Sequence, residues 1–358
     1  MSNVVQAGGG GGVSLNGAPP APVAHTTPQQ IKAELRKGYD NARQLSLLDE
    51  LTTMLEKQAK TDAALREFRA KLAELLESER TTTLVDGKQP DAAKGAIGRL
   101  SDNKWRALLD VLGAQAMRGQ SSDGGGAVGI GDPFKKLWAG AKDAFRIATY
   151  WQMKERAGVV GRSGLGARVL TRLADDAKNT RVHLLGHSFG ARLVSFSLSG
   201  LPETLKGERS PVKSLFLLQG AFSHYAFADQ LPHDATRSGA LKGMAVRVDG
   251  PLLATHSLKD LAVGRTYTAA SFVNGDNAAA IADQISRWGA IGHDGAQAVN
   301  ARPEQLSERG KKYSFKKGKW LNLDGNKVII HGGLPSGAHS DIAHSHTAWA
   351  ALAAAEIV

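Results

Sequence analysis

The sequence VHLLGHSFGARLV, from Val182 to Val194, predicts a strand that turns directly into a helix. Ser188 lies at the turn, with Gly186 two residues before it and Gly190 two residues after it. A side chain held at the tip of so tight a turn needs small residues at both positions, because larger ones would collide. We therefore expect Ser188 to lie on a strained elbow, with an ordinary strand-to-helix turn of small residues as the alternative.

Predicted strands alternate with predicted helices through the second half of the chain. This alternation is typical of a mostly parallel sheet with flanking helices, so we expect an α/β fold. Asp324-Gly325 separates two β-like runs near the end of the chain and predicts a hairpin there. The other predicted strands are FRIATYW (145–151), RVHLLG (181–186), VKSLFLLQG (212–220) and PLLATHS (251–257).

Composition divides the chain into four parts. Residues 1–27 are rich in Gly, Ala and Pro and cannot bury enough apolar surface to become ordered, so we expect a disordered tail. Residues 28–120 have leucines at helical spacing, which predicts an α-helical segment, either a hairpin or a short coiled coil. A Gly-rich linker at 121–132 precedes the α/β domain at 133–358. We interpret the helical segment as a surface for self-association or for a protein partner.

The composition of the 358 residues excludes several kinds of chemistry. Because the chain has no cysteine, it has no disulfide, thiolate metal site or cysteine nucleophile. Neither a secretory leader nor a stretch apolar enough to span a bilayer is visible, so we expect a cytoplasmic protein. The formal net charge of +11 would attract an acidic partner or an anionic membrane surface.

A serine hydroxyl becomes a nucleophile only beside a base that takes its proton and a carboxylate that orients the base. Asp260 follows the predicted strand PLLATHS, and His339 lies in a loop after the last predicted strand. Both lie beyond the carboxyl ends of strands, as Ser188 does, where ligands bind in open parallel sheets. His344 is the alternative base, although it lies just ahead of the closing helix. We expect Asp341 to cap the turn near His339.

Three segments together resemble the α/β-hydrolase superfamily of serine esterases and lipases. They are Gly-His-Ser-Phe-Gly at 186–190, the strand and loop that lead to Asp260, and Gly-Ala-His-Ser-Asp at 337–341. The second half of the chain is also similar to a group of bacterial α/β-hydrolase-like proteins. The resemblance implies an α/β-hydrolase-like domain that needs no cofactor and no metal ion.

The resemblance also implies a role for each residue of the elbow and its partners. Ser188 would attack an acyl group, His339 would shuttle the proton, and Asp260 would orient the imidazole. Phe189 would donate its backbone amide to the oxyanion. Members of the superfamily usually have additional strands before the first one seen here, so we expect the first strands to be missing. The second oxyanion donor would then come from elsewhere, such as the amides at 129–131. The elbow itself comprises Gly186, His187 and Gly190.

We therefore expect a serine hydrolase that cleaves an ester or other acyl bond of a small molecule or lipid through an acyl-serine intermediate. An acyltransferase would use the same three side chains with an acceptor other than water. A third interpretation is a non-catalytic binding or interaction protein, because a fold alone does not establish a function.

Other motifs have simpler interpretations. The basic, aromatic stretch 311–320 predicts a solvated hairpin whose aromatic rings face the core, with weak contact to an anionic membrane surface as the alternative. No recognised motif accompanies the charge, so we expect no nucleic-acid partner. His339, His344 and His346 match no zinc motif. GRSGLG at 161–166 lacks the lysine of a phosphate-binding loop, and we interpret it as a turn into a helix.

Overall fold

A five-stranded parallel sheet lies in the second half of the chain. The computed structural model describes residues 27–36, 39, 41–77, 97–98, 100–118, 132–261, 289–332 and 337–358. Apart from Thr27 and Asp132, the predicted tail and the predicted linker lie outside these ranges. The strand order is β1-β2-β3-β5-β4, and every pair is parallel. This confirms the expected α/β fold. The strands are β1 (Val182–His187), β2 (Val212–Leu218), β3 (Leu252–His256), β4 (Arg302–Gln305) and β5 (Trp320–Asp324).

Helices precede the sheet and connect its strands. In the described ranges, α1 to α4 come before residue 120, and a long helical stretch from Pro133 to Asp176 leads toward β1. In that stretch α5 passes without a break into a π-helix and then α6. The helices are α1 (Pro28–Arg36), α2 (Ala42–Lys57), α3 (Asp62–Glu77), α4 (Asp102–Arg118), α5 (Pro133–Val159), the π-helix (Val160–Leu170), α6 (Thr171–Asp176), α7 (Phe189–Ser197), α8 (Ile291–Asp294) and α9 (Ser345–Ala354).

The sheet buries apolar side chains on both faces, which explains its continuous apolar runs. In β2, Leu215 and Leu217 point to the face covered by the π-helix and α7, because neighbouring residues of a strand alternate in direction. Phe216 and Leu218 point to the opposite face, where they pack with residues of α9. Buried on both sides, the central strands hold the residues at their carboxyl ends in fixed positions.

Helices α1 to α4 share one apolar core with the first half of α5. Leu137, Trp138 and Phe145 of α5 are buried in this core. The indole Nε1 of Trp138 also donates a hydrogen bond of 3.1 Å to the carbonyl oxygen of Ala59. The first turns of α5, which the sequence assigned to the α/β domain, therefore pack with the N-terminal helices.

Two sequence expectations are wrong at the level of elements. FRIATYW, predicted as a strand, lies inside α5, because burial of Phe145 in the helical core outweighs the β-propensity of the run. The predicted hairpin at Asp324-Gly325 is also absent. The Asp324 carboxylate instead accepts a hydrogen bond of 2.8 Å from the backbone N–H of Asn326, which closes a turn. Residues 326–331 form that turn and a coil rather than a strand.

The predicted turn at 161–166 is also wrong, because GRSGLG lies inside the π-helix. Its glycines allow the helix to approach the α7 region closely. A Cβ at Gly166 would lie 2.9 Å from the carbonyl carbon of Ser197. This close contact at Ser197 holds α7, the helix that follows Ser188, against the π-helix.

None of the helices in the described ranges is both long and apolar enough to cross a lipid bilayer.

Candidate active site

The turn after β1 holds Ser188 in a strained conformation. Its φ of 58° and ψ of −121° lie in a region that residues other than glycine rarely adopt. The backbone N–H of Ser188 donates to Leu218 O at 3.1 Å, and its carbonyl oxygen accepts from the N–H of Ala221 at 3.1 Å. Leu218, at the end of β2, and Ala221, just after it, thus bind the backbone of the elbow and hold it in the strained conformation. As a result, the hydroxyl projects from the carboxyl edge of the sheet.

The two elbow glycines have different surroundings. A Cβ at Gly186 would lie 2.5 Å from the carbonyl carbon of Gly190 and 2.6 Å from the amide nitrogen of Ala191, so this position requires glycine. A Cβ at Gly190 would meet no atom within 4 Å. The expectation that both positions must be small is therefore wrong for Gly190. Collision at the elbow is avoided by one glycine, because the side chain of the second would point into open space.

The structure brings together the three side chains singled out from the sequence. His339 Nε2 lies 2.8 Å from Ser188 Oγ, and His339 Nδ1 lies 2.8 Å from Asp260 Oδ2. A carboxylate can only accept a hydrogen bond, so the proton of a neutral His339 belongs on Nδ1. The lone pair of Nε2 then faces the hydroxyl of Ser188. The arrangement can move a proton from the hydroxyl to the imidazole.

Exposure to solvent differs among the three side chains. Asp260 is fully buried, with 0% of its surface exposed, and the side chain of His339 is 12% exposed. Ser188 is partly buried. A buried carboxylate interacts more strongly with a neighbouring imidazolium than an exposed one, because solvent screens the pair less. Solvent therefore reaches Ser188 and His339 but not Asp260.

The loop that carries His339 is held by its backbone. The N–H of Ala338 donates to Lys259 O at 2.8 Å, which joins this loop to the segment after β3. His187 Nε2 lies 2.9 Å from the carbonyl oxygen of His339, and the two rings are 4.9 Å apart. Burial, and then the charge of His339, lower the pKa of His187 below its usual 6.5. His187 is therefore neutral in neutral solution and donates its Nε2–H to that carbonyl.

Asp341 fixes the far end of the same loop, as the sequence predicted. Its Oδ2 accepts hydrogen bonds from the N–H groups of Ile330, at 2.8 Å, and His331, at 2.7 Å. Burial alone would raise the pKa of Asp341, but these backbone hydrogen bonds and the charge of His344 lower it. His344 Nε2 lies 2.9 Å from Asp341 Oδ1 and not at the serine. The alternative base is thus bound elsewhere.

Gln219 was not singled out from the sequence. It directly follows β2, and its side chain is fully buried. Its Nε2 donates a hydrogen bond of 3.0 Å to Asp260 Oδ2, the same oxygen that faces His339. The available signal was the one used for Asp260: a polar residue directly after an apolar strand, here at the end of VKSLFLLQ.

The first turn of α7 faces the serine because Ser188 is the residue before that helix. A helix N-terminus carries a partial positive charge that favours a developing anion. Phe189, whose amide was expected to bind the oxyanion, is the first residue of α7. Residues 129–131, suggested as a second donor, lie outside the described ranges.

No group of three or more His, Asp or Glu side chains in the described residues could hold a metal ion. The end of the basic stretch lies at the amino ends of the strands, away from Ser188, because Lys319 directly precedes β5. Tyr313 and Phe315 stack on each other at 5.3 Å and pack against the core, as the sequence predicted, but the predicted hairpin is wrong because residues 311–319 form coil and a turn. Lys317 and Lys213 both bind Asp249.

No protein-family model matches this chain, and neither the curated proteins nor the solved structures include a significant match.

Proposed function

We propose that the chain is a serine hydrolase that cleaves an ester or another acyl bond in a small molecule or lipid. One observation carries the proposal: the hydroxyl, imidazole and carboxylate of Ser188, His339 and Asp260 form a continuous hydrogen-bonded chain with two links of 2.8 Å each. Such a chain is what turns a serine hydroxyl into a nucleophile. An α/β-hydrolase-like fold is part of the proposal.

Topology supports this fold. The three side chains follow β1, β3 and β5 along the chain, in the order serine, acid, histidine that the superfamily uses. All three strands are parallel, so their carboxyl ends meet at one edge. The strained φ of Ser188 and the tight packing around Gly186 are also what a nucleophile elbow requires.

In the first half-reaction, Ser188 Oγ attacks the acyl carbon while its proton moves to His339 Nε2. The resulting imidazolium is stabilised by Asp260 through Nδ1–H. When the tetrahedral intermediate collapses, the bond to the leaving oxygen breaks and that oxygen takes the proton from Nε2. The products are an alcohol and an acyl-Ser188.

The second half-reaction returns the enzyme to its starting state. A water molecule gives a proton to His339 Nε2 and adds to the acyl carbon. The bond to Ser188 Oγ then breaks, and the proton returns from Nε2 to the serine. In both halves the negative charge grows on an oxygen near the N-terminus of α7, where the Phe189 amide is the proposed donor.

A fluorophosphonate probe tests the proposal, because an activated serine displaces its fluoride and becomes covalently labelled. We expect the wild-type chain to be labelled and Ser188→Ala to be unlabelled. Ser195→Ala is the matched control, since the buried Ser195 hydroxyl has no hydrogen-bond partner among the described residues; it should be labelled like the wild type. A wild-type chain that resists the probe, while a control esterase is labelled, would favour the non-catalytic interpretation.

A further inference from the structure

Gln219 occupies an unusual backbone position beside the proposed active site. It follows β2 at the carboxyl edge of the sheet with a φ of 44°, in the left-handed region that favours glycine. Its side chain is 0% exposed. Strain of this kind persists only where the surroundings fix the residue, and it is frequent at functional sites. The position therefore calls for an account of what the side chain does.

Every polar atom of the Gln219 side chain is used. Its Nε2 donates to Gly292 O at 2.8 Å and to Asp260 Oδ2 at 3.0 Å, while its Oε1 accepts from the Thr255 hydroxyl at 2.9 Å. Thr255 Oγ1 also accepts from the backbone N–H of Gln219 at 3.1 Å, so its own proton is directed to Oε1. This arrangement sets the orientation of the amide. A flipped amide would place its oxygen against the carboxylate.

Asp260 depends on this amide. Its Oδ2 accepts hydrogen bonds from His339 Nδ1 and Gln219 Nε2. Its Oδ1 is buried and has no hydrogen-bond partner within the described residues. A buried carboxylate is costly unless hydrogen bonds compensate its charge. Gln219 is the partner of Asp260 that does not change its protonation state during the proposed reaction.

We infer that Gln219 is a positioning residue, which aims Asp260 Oδ2 at His339 and moderates the negative charge that the imidazole meets. The inference rests on the proposed hydrolase function. Thr255 in turn positions Gln219, so the hydrogen-bonded chain runs from Thr255 through Gln219, Asp260 and His339 to Ser188. Among the described residues, His187 is the other titratable group that faces His339, and its ring is 4.9 Å away.

The rate of fluorophosphonate labelling, measured against pH in the full-length chain, tests the inference. Gln219→Met keeps the volume but removes the donor. We expect labelling of this variant to slow by about tenfold, because the loss of one hydrogen bond to a charged group frees the carboxylate to rotate. The half-maximal pH should also rise, by up to about one unit, because the unmoderated carboxylate holds an imidazolium more tightly.

Gln305→Met is the matched control. It removes a hydrogen bond of 2.9 Å from the amide of Gln305, on the exposed edge strand β4, to the carboxylate of Asp324 in β5. Its labelling rate and half-maximal pH should equal those of the wild type. A merely structural role for Gln219 would change the yield of folded protein, but it would not move the half-maximal pH of the molecules that are labelled.

The possible results separate the inference from the proposed function. An unlabelled wild type overturns both. A labelled wild type with an unchanged rate and half-maximal pH in Gln219→Met overturns only the positioning role. If Gln219→Met does not fold, Thr255→Val decides, because it leaves Gln219 in place and removes the hydroxyl that orients its amide. We expect a smaller shift in the same direction, and an unchanged half-maximal pH would overturn the inference.

Discussion

His187, the residue directly before Ser188, contacts His339, the proposed base. Its Nε2–H donates to the carbonyl oxygen of His339 at 2.9 Å. His187→Phe keeps the ring packing but removes the donor, so we expect Ser188 to react with a fluorophosphonate about tenfold more slowly, as one lost hydrogen bond permits. His183→Phe is the control, because His183 lies on the same face of β1 but contacts Ser214. Equal labelling of both variants would contradict a role for His187.

Asp341 offers a test that depends on pH. Backbone hydrogen bonds hold the pKa of its carboxyl below the usual 3.8 despite its burial. A carboxyl with a lowered pKa in the folded state contributes stability above the unfolded value, and that contribution is lost as the pH falls through the folded value. We expect Asp341→Asn to lower the free energy of unfolding by about 1 kcal/mol at pH 7. The difference should shrink toward zero near pH 2.

Denaturant unfolding at both pH values measures this difference. Asp229→Asn, which changes an exposed carboxyl, should leave the free energy of unfolding unchanged at both. A constant difference for Asp341→Asn across the pH range would mean that the charge of Asp341 does not support the loop.

Individual residues of the site were predictable to different degrees. Ser188, Asp260 and His339 could be selected because each follows a predicted strand. A serine nucleophile also needs a base and a carboxylate beside it, so each of the three residues pointed to the others. Gln219 follows a strand as well, but an amide does not titrate and has no fixed place in a motif. Its importance depends on Thr255, Gly292 and Asp260, which meet it only in three dimensions.

At the level of elements, the elbow between β1 and α7 gives a prediction in which its two glycines, Gly186 and Gly190, can be compared. Gly186→Ala would force its Cβ against the backbone of Gly190 and Ala191, which cannot move without opening the turn. We expect labelling of Ser188 to fall by about 100-fold or more, since a displacement of about 1 Å has that effect. Gly190→Ala adds the same methyl group in open space and should be labelled at nearly the wild-type rate. Similar losses in both variants would contradict the steric account.

Elements were predicted well where periodicity and burial agreed. The strands that became β2 and β3 are apolar and buried, so pattern and environment lead to the same structure. FRIATYW has β-prone residues, but its neighbours in the chain are helical and Phe145 packs into a helical core. The hairpin failed for a related reason: the carboxylate of Asp324 binds the backbone of Asn326 and ends the strand. The secondary-structure preferences of the residues alone do not predict these contacts.

For the whole molecule, the N-terminal helices can be tested by removal. A chain shortened to residues 132–358 would uncover Leu137, Trp138 and Phe145, all of which are buried in the full chain. We expect it to self-associate, because exposed apolar patches of this kind drive association. Sedimentation velocity measures the association, and the rate of fluorophosphonate labelling measures the reactivity of Ser188.

A surface variant of the shortened chain supplies the control. Leu137→Lys, Trp138→Lys and Phe145→Lys together should restore the monomer and leave Ser188 reactive, since these residues belong to the helical core rather than to the site. The same three substitutions in the full chain should unfold the N-terminal helices. Loss of labelling in a folded, monomeric shortened chain would mean that the N-terminal helices complete the active site.

The position of the basic stretch bears on any membrane contact. The end of the stretch, with Lys317 and Lys319, directly precedes β5 and lies at the amino ends of the strands, opposite Ser188. If this stretch bound an anionic bilayer, the proposed active site would face away from the lipid. A lipid substrate of the proposed hydrolase would then have to reach the site from solution.

The order of the elements along the chain has a consequence for the protein during its synthesis. Helices α1 to α4 can close their core once Phe145 has left the ribosome. The described sheet is completed later, because β5 lies between β3 and β4 in space but is the last of these five strands to be made. His339 emerges later still. A nascent chain that has not yet reached His339 therefore carries Ser188 without its proposed proton acceptor, so the proposed acyl chemistry can begin only after His339 has been made.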